Sequence, residues 1–476
     1  MEKAKGVLAG IEPQSVFKYF EQICAIPHGS GNTKMISDYC VEFAKRHGLL
    51  CYQDEKNNII IKKEASQGYE KHPPVIIQGH LDMVCEKEAD CDIDFSKDGL
   101  DICLNGDMIS AKGTTLGADD GIAIAMAMSL LADNTLWHPA IEALFTVDEE
   151  TGMYGAAALD VSRLNGKMLL NIDSEVEGVL TAGCAGGART DIGLPLTRES
   201  SCGECFKITL DGFAGGHSGI EIAKSVYNSN IIMGSFLQLL EGDWRIADIS
   251  GGLKDNAIPV LTECVLVAES QQIDRAVAAF CAKYKDQIGS DFKIKAESVS
   301  PAAVALTSEC SKAVSALLGA VPNGVIEMSS DIEGLVQTSL NLGILKIKGD
   351  LLCLSFAVRS SVKASKLNLI ERLKRVAQDF GCSFEDFAHY PAWEYRKDSP
   401  LREKMVSVYE RLFGKRPYVD VIHAGLECGI LSEKIGDLDA VSFGPDLYDI
   451  HTARERMSVS SVGRTYKFLT EVLKEL

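Results

Sequence analysis

The chain of 476 residues has no hydrophobic run long enough to cross a membrane. Its longest, Gly121 to Ala132, falls well short of the roughly 20 residues that a spanning helix needs. Surplus positive charge is missing too. With 48 Lys and Arg against 67 Asp and Glu, the net charge is −19, which excludes binding to nucleic acid or anionic lipid through a general basic surface. Low-complexity tracts and internal repeats are absent. The 15 cysteines are scattered singly, an odd number without the spacing of a disulfide framework, as expected of free thiols in a reducing compartment. Cys202 and Cys205 form a lone CxxC with no second pair, so they read as an ordinary loop. The N-terminal stretch MEKAKGVLAGIEPQSVF has an apolar part too short and too broken by Gly and Pro for a signal peptide, so a cytoplasmic location is expected.

What is present is ordinary for a globular protein: 46% hydrophobic and 24% charged residues, in a chain long enough for two to four domains. Apolar periodicity predicts a helix from Pro13 through VFKYFEQICAI, a Gly-rich loop HGSGN, and a second helix around Met35 to His47. Strands then alternate with helices: NNIIIKK, PPVIIQGH, EALFTVDEE and KMLLNIDSE read as strands, with GADDGIAIAMAMSLLAD as a helix among them. This alternation argues for an α/β fold with a mixed or parallel sheet covered by helices. From about Arg189 the texture changes to a second unit, with a strand in FKITLDGFAGGHSG and helices around Ser225 to Leu240 and in IDRAVAAFCAKYKDQI. A third stretch, Ala302 to Phe380, repeats that texture and contains NLGILKIKGDLLCLSFAVRSS, a hairpin with Gly349 and Asp350 near its turn. The tail from about Tyr390 returns to the first texture and ends on a helix, Ser460 to Leu476. The expected organisation is a first domain in two pieces, 1–186 and 389–476, interrupted by an inserted α+β domain at 187–388.

His and acidic residues collect at the carboxyl ends of the expected strands, where open α/β sheets build their sites. His80 and Asp82 end PPVII and, two residues apart, share a face; the carboxylate is placed to fix the tautomer of a metal-bound imidazole. Asp119 and Asp120 open an apolar helix, where acids also cap and complement the helix dipole. Asp148, Glu149 and Glu150 follow EALFTV, and three adjacent carboxylates repel one another unless a cation or solvent offsets them. Asp173 follows KMLLNI, and His451 lies near the C-terminus in Asp449-Ile450-His451-Thr452. Two His with several carboxylates suit zinc, with cobalt or manganese acceptable. A paired-metal hydrolase needs a His and a carboxylate on each ion, a bridging carboxylate and a free base. The set His80, Asp173, His451, Glu150, Asp119 and Glu149 supplies those parts, and spacing leaves open which residue takes which.

GHLDMV, LGADDGIA, FTVDEETG, NIDSE, GGHSG and a late D-I-H-T, in unbroken order from PHGSGN to PDLYDIHTARERMSV, resemble the M20 metallopeptidases. Within them the run is most similar to the bacterial aminoacyl-histidine dipeptidases, or cytosolic non-specific dipeptidases. The resemblance implies a catalytic α/β domain of mixed sheet, interrupted by an inserted lid that mediates dimerisation. It also implies two divalent ions, zinc first, in a dipeptidase acting on peptides with a free N-terminus, Xaa-His among them. By the same likeness His80 and Asp173 hold one ion, Glu150 and His451 the other, and Asp119 bridges them; its peptide with Asp120 is often cis in such enzymes. Asp82 orients His80, and Glu149 is the general base. In the lid, His217 in Gly215-Gly216-His217-Ser218-Gly219 is implied to stabilise the oxyanion, often across to the partner subunit's site. Asn256 and Arg359 are implied to contact substrate, the Arg gripping its C-terminal carboxylate. Glu427 is expected to receive the substrate's α-amino group. A tripeptidase or an N-acyl amino-acid deacylase on the same centre is the alternative activity. A non-catalytic binding protein is disfavoured because Glu149 and Asp119 are both present, and a thiol enzyme because no motif surrounds a Cys.

Overall fold

A computed structural model describes residues 6–224 and 227–476. The chain divides into two units, one comprising the N-terminal residues through Gly183 together with 395–421 and 426–476, the other 184–394 with 422–425. The crossings lie at 183/184 and 394/395, a few residues from the expected 186/187 and 388/389. Cys184 and Trp393 exchange backbone hydrogen bonds of 2.9 and 3.1 Å, which draws both crossings into the second unit. The Ala185 N–H donates to the Ile422 carbonyl at 3.0 Å, so the short piece 422–425 goes with them.

The first unit is built on an eight-stranded sheet. Its order is Leu50–Gln53, Ile59–Lys63, Ile141–Thr146, Val75–His80, Met168–Asn171, Asp439–Ser442, Val179–Cys184 and Tyr418–Ile422. Four consecutive strands, Ile141–Thr146 through Asp439–Ser442, are parallel, with His80 opposite Thr146 and Gln78 opposite Asn171, so the carboxyl ends of the first three stop side by side. VIIQGH and IEALFT are buried along their whole length, as strands covered on both faces must be. Side chains such as Ile77 and Phe145 contribute roughly 1.5–3 kcal/mol each by leaving water. The helix Ala118–Ala132 packs on Val75–His80 and on the helix Gln14–Cys24. It is apolar around its circumference and buried from Gly121 to Leu131, the pattern of a helix enclosed on all sides. Gly79 admits it: a Cβ there would stand 2.7 Å from that of Ala123. A four-stranded sheet of Leu447–Tyr448, Arg456–Ser458, Met108–Ala111 and Ile102–Asn105 closes the loop 449–455 between two of its strands.

The second unit is built on a nine-stranded antiparallel sheet, with a separate two-stranded pair of Arg198–Ser200 and Val304–Leu306. Lys293–Val299, Cys205–Asp211, Thr262–Val267, Arg245–Gly251, Val336–Lys348, Leu351–Ser360, Gly186–Pro195 and Ser383–Tyr390 follow in order, with Gly324–Met328 beside Val336–Lys348. The two successive textures of the sequence therefore share a sheet, joined where Ser250 pairs with Lys346. The expected hairpin forms with Gly349 and Asp350 as its two-residue loop, and Gly349 has φ 60°, which glycine adopts without cost. The helix expected over 225–240 is Ser229–Leu237, capped by the Asn228 side chain; Ser225 and Val226 lie outside the described residues. Among the described residues no helix is long and apolar enough to cross a membrane, and none of the 15 cysteines is joined in a disulfide.

Candidate active site

His80 is the last residue of its strand and 1% exposed. Its Nδ1 lies 2.8 Å from the main-chain carbonyl of Asp82, which can only accept, so Nδ1 carries the proton and Nε2 faces the site. The Asp82 carboxylate, expected to orient that ring, stands 3.5 Å from it and does something further. Its Oδ1 accepts the Glu149 N–H at 3.1 Å, and its Oδ2 accepts the Ser30 hydroxyl at 2.8 Å and the Glu150 N–H at 3.4 Å. Asp82 thus holds the turn that presents both glutamates. Ser30 comes from the HGSGN loop, whose composition signalled a turn but no role in the site. Gly31 in the same loop donates its N–H to Asp148 Oδ1 at 2.7 Å, which takes the first of the three adjacent acids away from the other two.

Asp119 divides its carboxylate between two imidazoles. Oδ1 is 3.1 Å from His80 Nε2, and Oδ2 is 3.2 Å from His451 Nε2. Asp173 Oδ1 stands 3.7 Å from His80 Nε2, and Glu150 Oε1 stands 2.9 Å from His451 Nε2. Donor atoms of His80, Asp119 and Asp173 lie within 4.8 Å of one another, as do those of Asp119, Glu150 and His451 and those of His80, Glu149 and Glu150. Ligand atoms around a tetrahedral ion at about 2.0–2.1 Å sit roughly 3.3 Å apart, the separation these pairs already approach.

The charges argue the same way. Burial pushes the Glu149 carboxyl up to about 8, with Glu427, Glu150 and Asp119 adding to it against the pull of His80. Burial and Asp120 raise Asp173 well above the usual carboxylate range. Hydrogen bonds that the protonated ring donates to Asp119 and Glu150 hold His451 up at about 10, and burial lowers His80 while Asp119 and Asp82 raise it above its ordinary value. Burial would raise Asp119, but the two imidazoles hold it below its ordinary value. Packing this many carboxylates out of water calls for a compensating positive charge. A divalent cation supplies it, and imidazole with carboxylate oxygens is a donor set that suits zinc, cobalt or manganese. The residues present fit such ions.

The acidic pair at the helix start does not cap it. Asp119 and Asp120 are joined by a cis peptide. Asp120 turns inward, 2% exposed, and its Oδ2 accepts the His80 N–H at 3.1 Å, in space that Gly79 leaves free. Glu455, which sequence reasoning passed over, does the capping: its carboxylate accepts the N–H groups of Leu116, Gly117, Ala118 and Asp119. Glu427, expected to meet the substrate's α-amino group, is 0% exposed, and its Oε2 accepts from Gln78 Nε2 at 2.7 Å and Thr146 Oγ1 at 2.5 Å, while its Oε1 has no hydrogen-bond partner. Burial pushes this carboxyl up to about 7.

In the second unit, His217 Nδ1 accepts the Gly219 N–H at 3.3 Å, which leaves the proton on Nε2. Burial and the Arg359 charge hold this imidazole below its ordinary pKa, in its neutral form. Arg359 is 9% exposed, donates from Nη1 to the Tyr390 hydroxyl at 2.9 Å, and brings Nη2 to 3.5 Å from His217 Nε2. Two donors thus face each other with no acceptor between them. Asn256 is half-buried on the adjoining loop, where its carbonyl accepts the Ser218 N–H at 2.9 Å.

Comparison with known proteins agrees with this arrangement. The family model described as Peptidase family M20/M25/M40 matches residues 76–475. The cytosol non-specific dipeptidase of Escherichia coli is 36% identical over 479 residues, covering 98% of this chain and 99% of that protein. The crystal structure of aminoacylhistidine dipeptidase from Vibrio alginolyticus superposes with a TM-score of 0.92 at 33% identity, covering 98% of each chain. An aminopeptidase from Bacillus cereus, at 14% identity and a TM-score of 0.59 over 98% of this chain, shares the fold. The resemblance read from the motifs is met, and so is the α/β fold class. The chain is an enzyme, a metal-dependent peptidase of the dipeptidase type, and it belongs to peptidase family M20/M25/M40.

Proposed function

We propose that this enzyme hydrolyses dipeptides with a free N-terminus, aminoacyl-histidine peptides among them, on two divalent ions. The observation that carries the reading is the Asp119 carboxylate, which offers one oxygen to each of two imidazoles. His80 and Asp173 would hold one ion, His451 and Glu150 the other, with Asp119 shared. When bound, the pair of ions acidifies a water and polarises the scissile carbonyl. Glu149 takes the proton from that water and returns it to the leaving amine. Asp82 holds Glu149 and Glu150 in place through their N–H groups. The His217 Nε2–H and the Arg359 guanidinium, two donors without an acceptor, suit the oxyanion and the substrate's carboxylate, and Asn256 adds a polar contact beside them. Nitrogen and oxygen ligands favour zinc, with cobalt or manganese able to replace it. A cytoplasmic location is part of the same proposal, supported by the similarity to a cytosol dipeptidase; so is a homodimer, which rests on the resemblance of the motifs alone.

The test is a hydrolysis panel of Ala-His, β-Ala-His, Leu-Gly, a tripeptide and N-acetyl-Ala, each with chelator and with zinc, cobalt or manganese restored. Metal-dependent cleavage of the dipeptides alone is expected. Cleavage of the tripeptide or of the acetylated compound in their place refutes the assignment in favour of a tripeptidase or a deacylase.

A further inference from the structure

We infer that Glu455 is a positioning residue of the metal centre, holding the main chain of Asp119 in register with the hairpin that carries His451. This rests on the proposed role of Asp119 as shared ligand. The helix Ala118–Ala132 starts with orphan N–H groups, and its N-cap, Gly117, has no side chain to satisfy them. The turn before it is tightly set: Gly117 has φ 64°, and a Cβ there would lie 2.8 Å from Met83 Sδ and 3.2 Å from His28 Nε2. Leu116, Gly117 and Ala118 are buried and Asp119 is partly so, so their amides need protein acceptors.

A single carboxylate from 336 to 339 residues away accepts from the four amides 116–119. Glu455 Oε2 accepts from Leu116 N at 2.7 Å and Gly117 N at 3.0 Å; Oε1 accepts from Ala118 N at 2.8 Å and Asp119 N at 3.4 Å. Glu455 is 2% exposed and stands four residues beyond His451, in the loop closed by the pairs Leu447 with Met457 and Tyr448 with Arg456. One end of this side chain therefore fixes the backbone that aims the Asp119 carboxylate. The other end is rooted in the loop that aims His451 at the same carboxylate, 3.2 Å away. A neutral amide at this position keeps one acceptor and turns a donor toward amides that already donate, so the loop must move.

The experiment is cobalt titration of the metal-free protein, followed by visible absorption and by a competing chelator, on wild type, Glu455→Gln, Glu455→Asp and Asp119→Asn, with amide hydrogen exchange over 113–120. Glu455→Gln is expected to weaken cobalt binding about 10–100-fold, the usual cost of losing a residue that orients a ligand. It should also alter the cobalt spectrum and speed exchange at 116–119. Glu455→Asp keeps the charge with a shorter reach, so it should recover part of the affinity, and it carries the test if Glu455→Gln does not fold. A merely structural role lowers thermal stability while leaving the affinity and spectrum of the folded protein unchanged; that result overturns the inference. Wild-type binding by Asp119→Asn overturns the shared-ligand reading, and this inference with it.

Discussion

Replacing Arg359 by Ala tests how the enzyme measures the length of its substrate. The guanidinium is enclosed on the strand Leu351–Ser360, bonded to Tyr390 through Nη1 and 3.5 Å from His217 through Nη2, and its Nε has no partner. If it grips the C-terminal carboxylate of a dipeptide, the lost interaction is a charge-assisted hydrogen bond worth about 1.5–3 kcal/mol. At 1.36 kcal/mol per decade this is roughly a 10–150-fold fall in kcat/KM. The assay is a cycle: Ala-His and its C-terminal amide, each on wild type and on Arg359→Ala, with near-ultraviolet circular dichroism to confirm the fold. The amide should lose on wild type about as much as Ala-His loses on the variant, and the mutation should change amide turnover by less than about 3-fold. Arg359→Lys keeps a charge without the planar fork and should fall between. Equal losses for acid and amide would refute the carboxylate role and leave Arg359 a packing residue.

The other predictions concern the base and a buried imidazole. Glu149→Gln should lower kcat by about 10²–10⁴, the ordinary contribution of a general base, while the metal content measured by atomic absorption stays at the wild-type value; turnover near normal would end that role. His423 is 7% exposed, its Nε2 shares a hydrogen bond with Ser339 Oγ at 2.7 Å, and burial, then the Arg359 charge, push it down to about 4. The unfolded chain binds its proton near pH 6.5, the folded chain only near pH 4, so stability rises with pH through that window by up to roughly 3 kcal/mol and is lost again on acidification. The denaturation midpoint of His423→Gln should therefore fall less between pH 7 and pH 4 than that of wild type, and equal falls would exclude His423 as the source.

Much of the fold was legible because its signals are local. Runs such as VIIQGH and EALFTV can only be strands enclosed by other layers, and each carries its own chemistry at its carboxyl end: His80, then Glu149 and Glu150. The hairpin around Gly349 was readable for the same reason, since a two-residue loop and its flanking alternation lie within one short stretch.

Other features have no local signal. Local sequence lets the pair Asp119 and Asp120 be a helix cap as readily as ligands; in the fold one faces two imidazoles and the other turns inward to the His80 N–H. That split depends on Gly79, forty residues away, leaving room for Asp120. The cap itself comes from Glu455, which nothing in the intervening chain marks as a partner of Leu116. Nor does anything near Glu427 in sequence announce the hydrogen bonds that its Oε2 accepts from Gln78 and Thr146. The amino-acid sequence by itself determined which residue types gather at the ends of which strands, because backbone periodicity and apolar patterning are properties of neighbouring residues. Only the tertiary structure decided which carboxylate faces which imidazole, which is buried, and which holds the main chain in place, because burial and hydrogen-bond partnership are set by segments hundreds of residues apart.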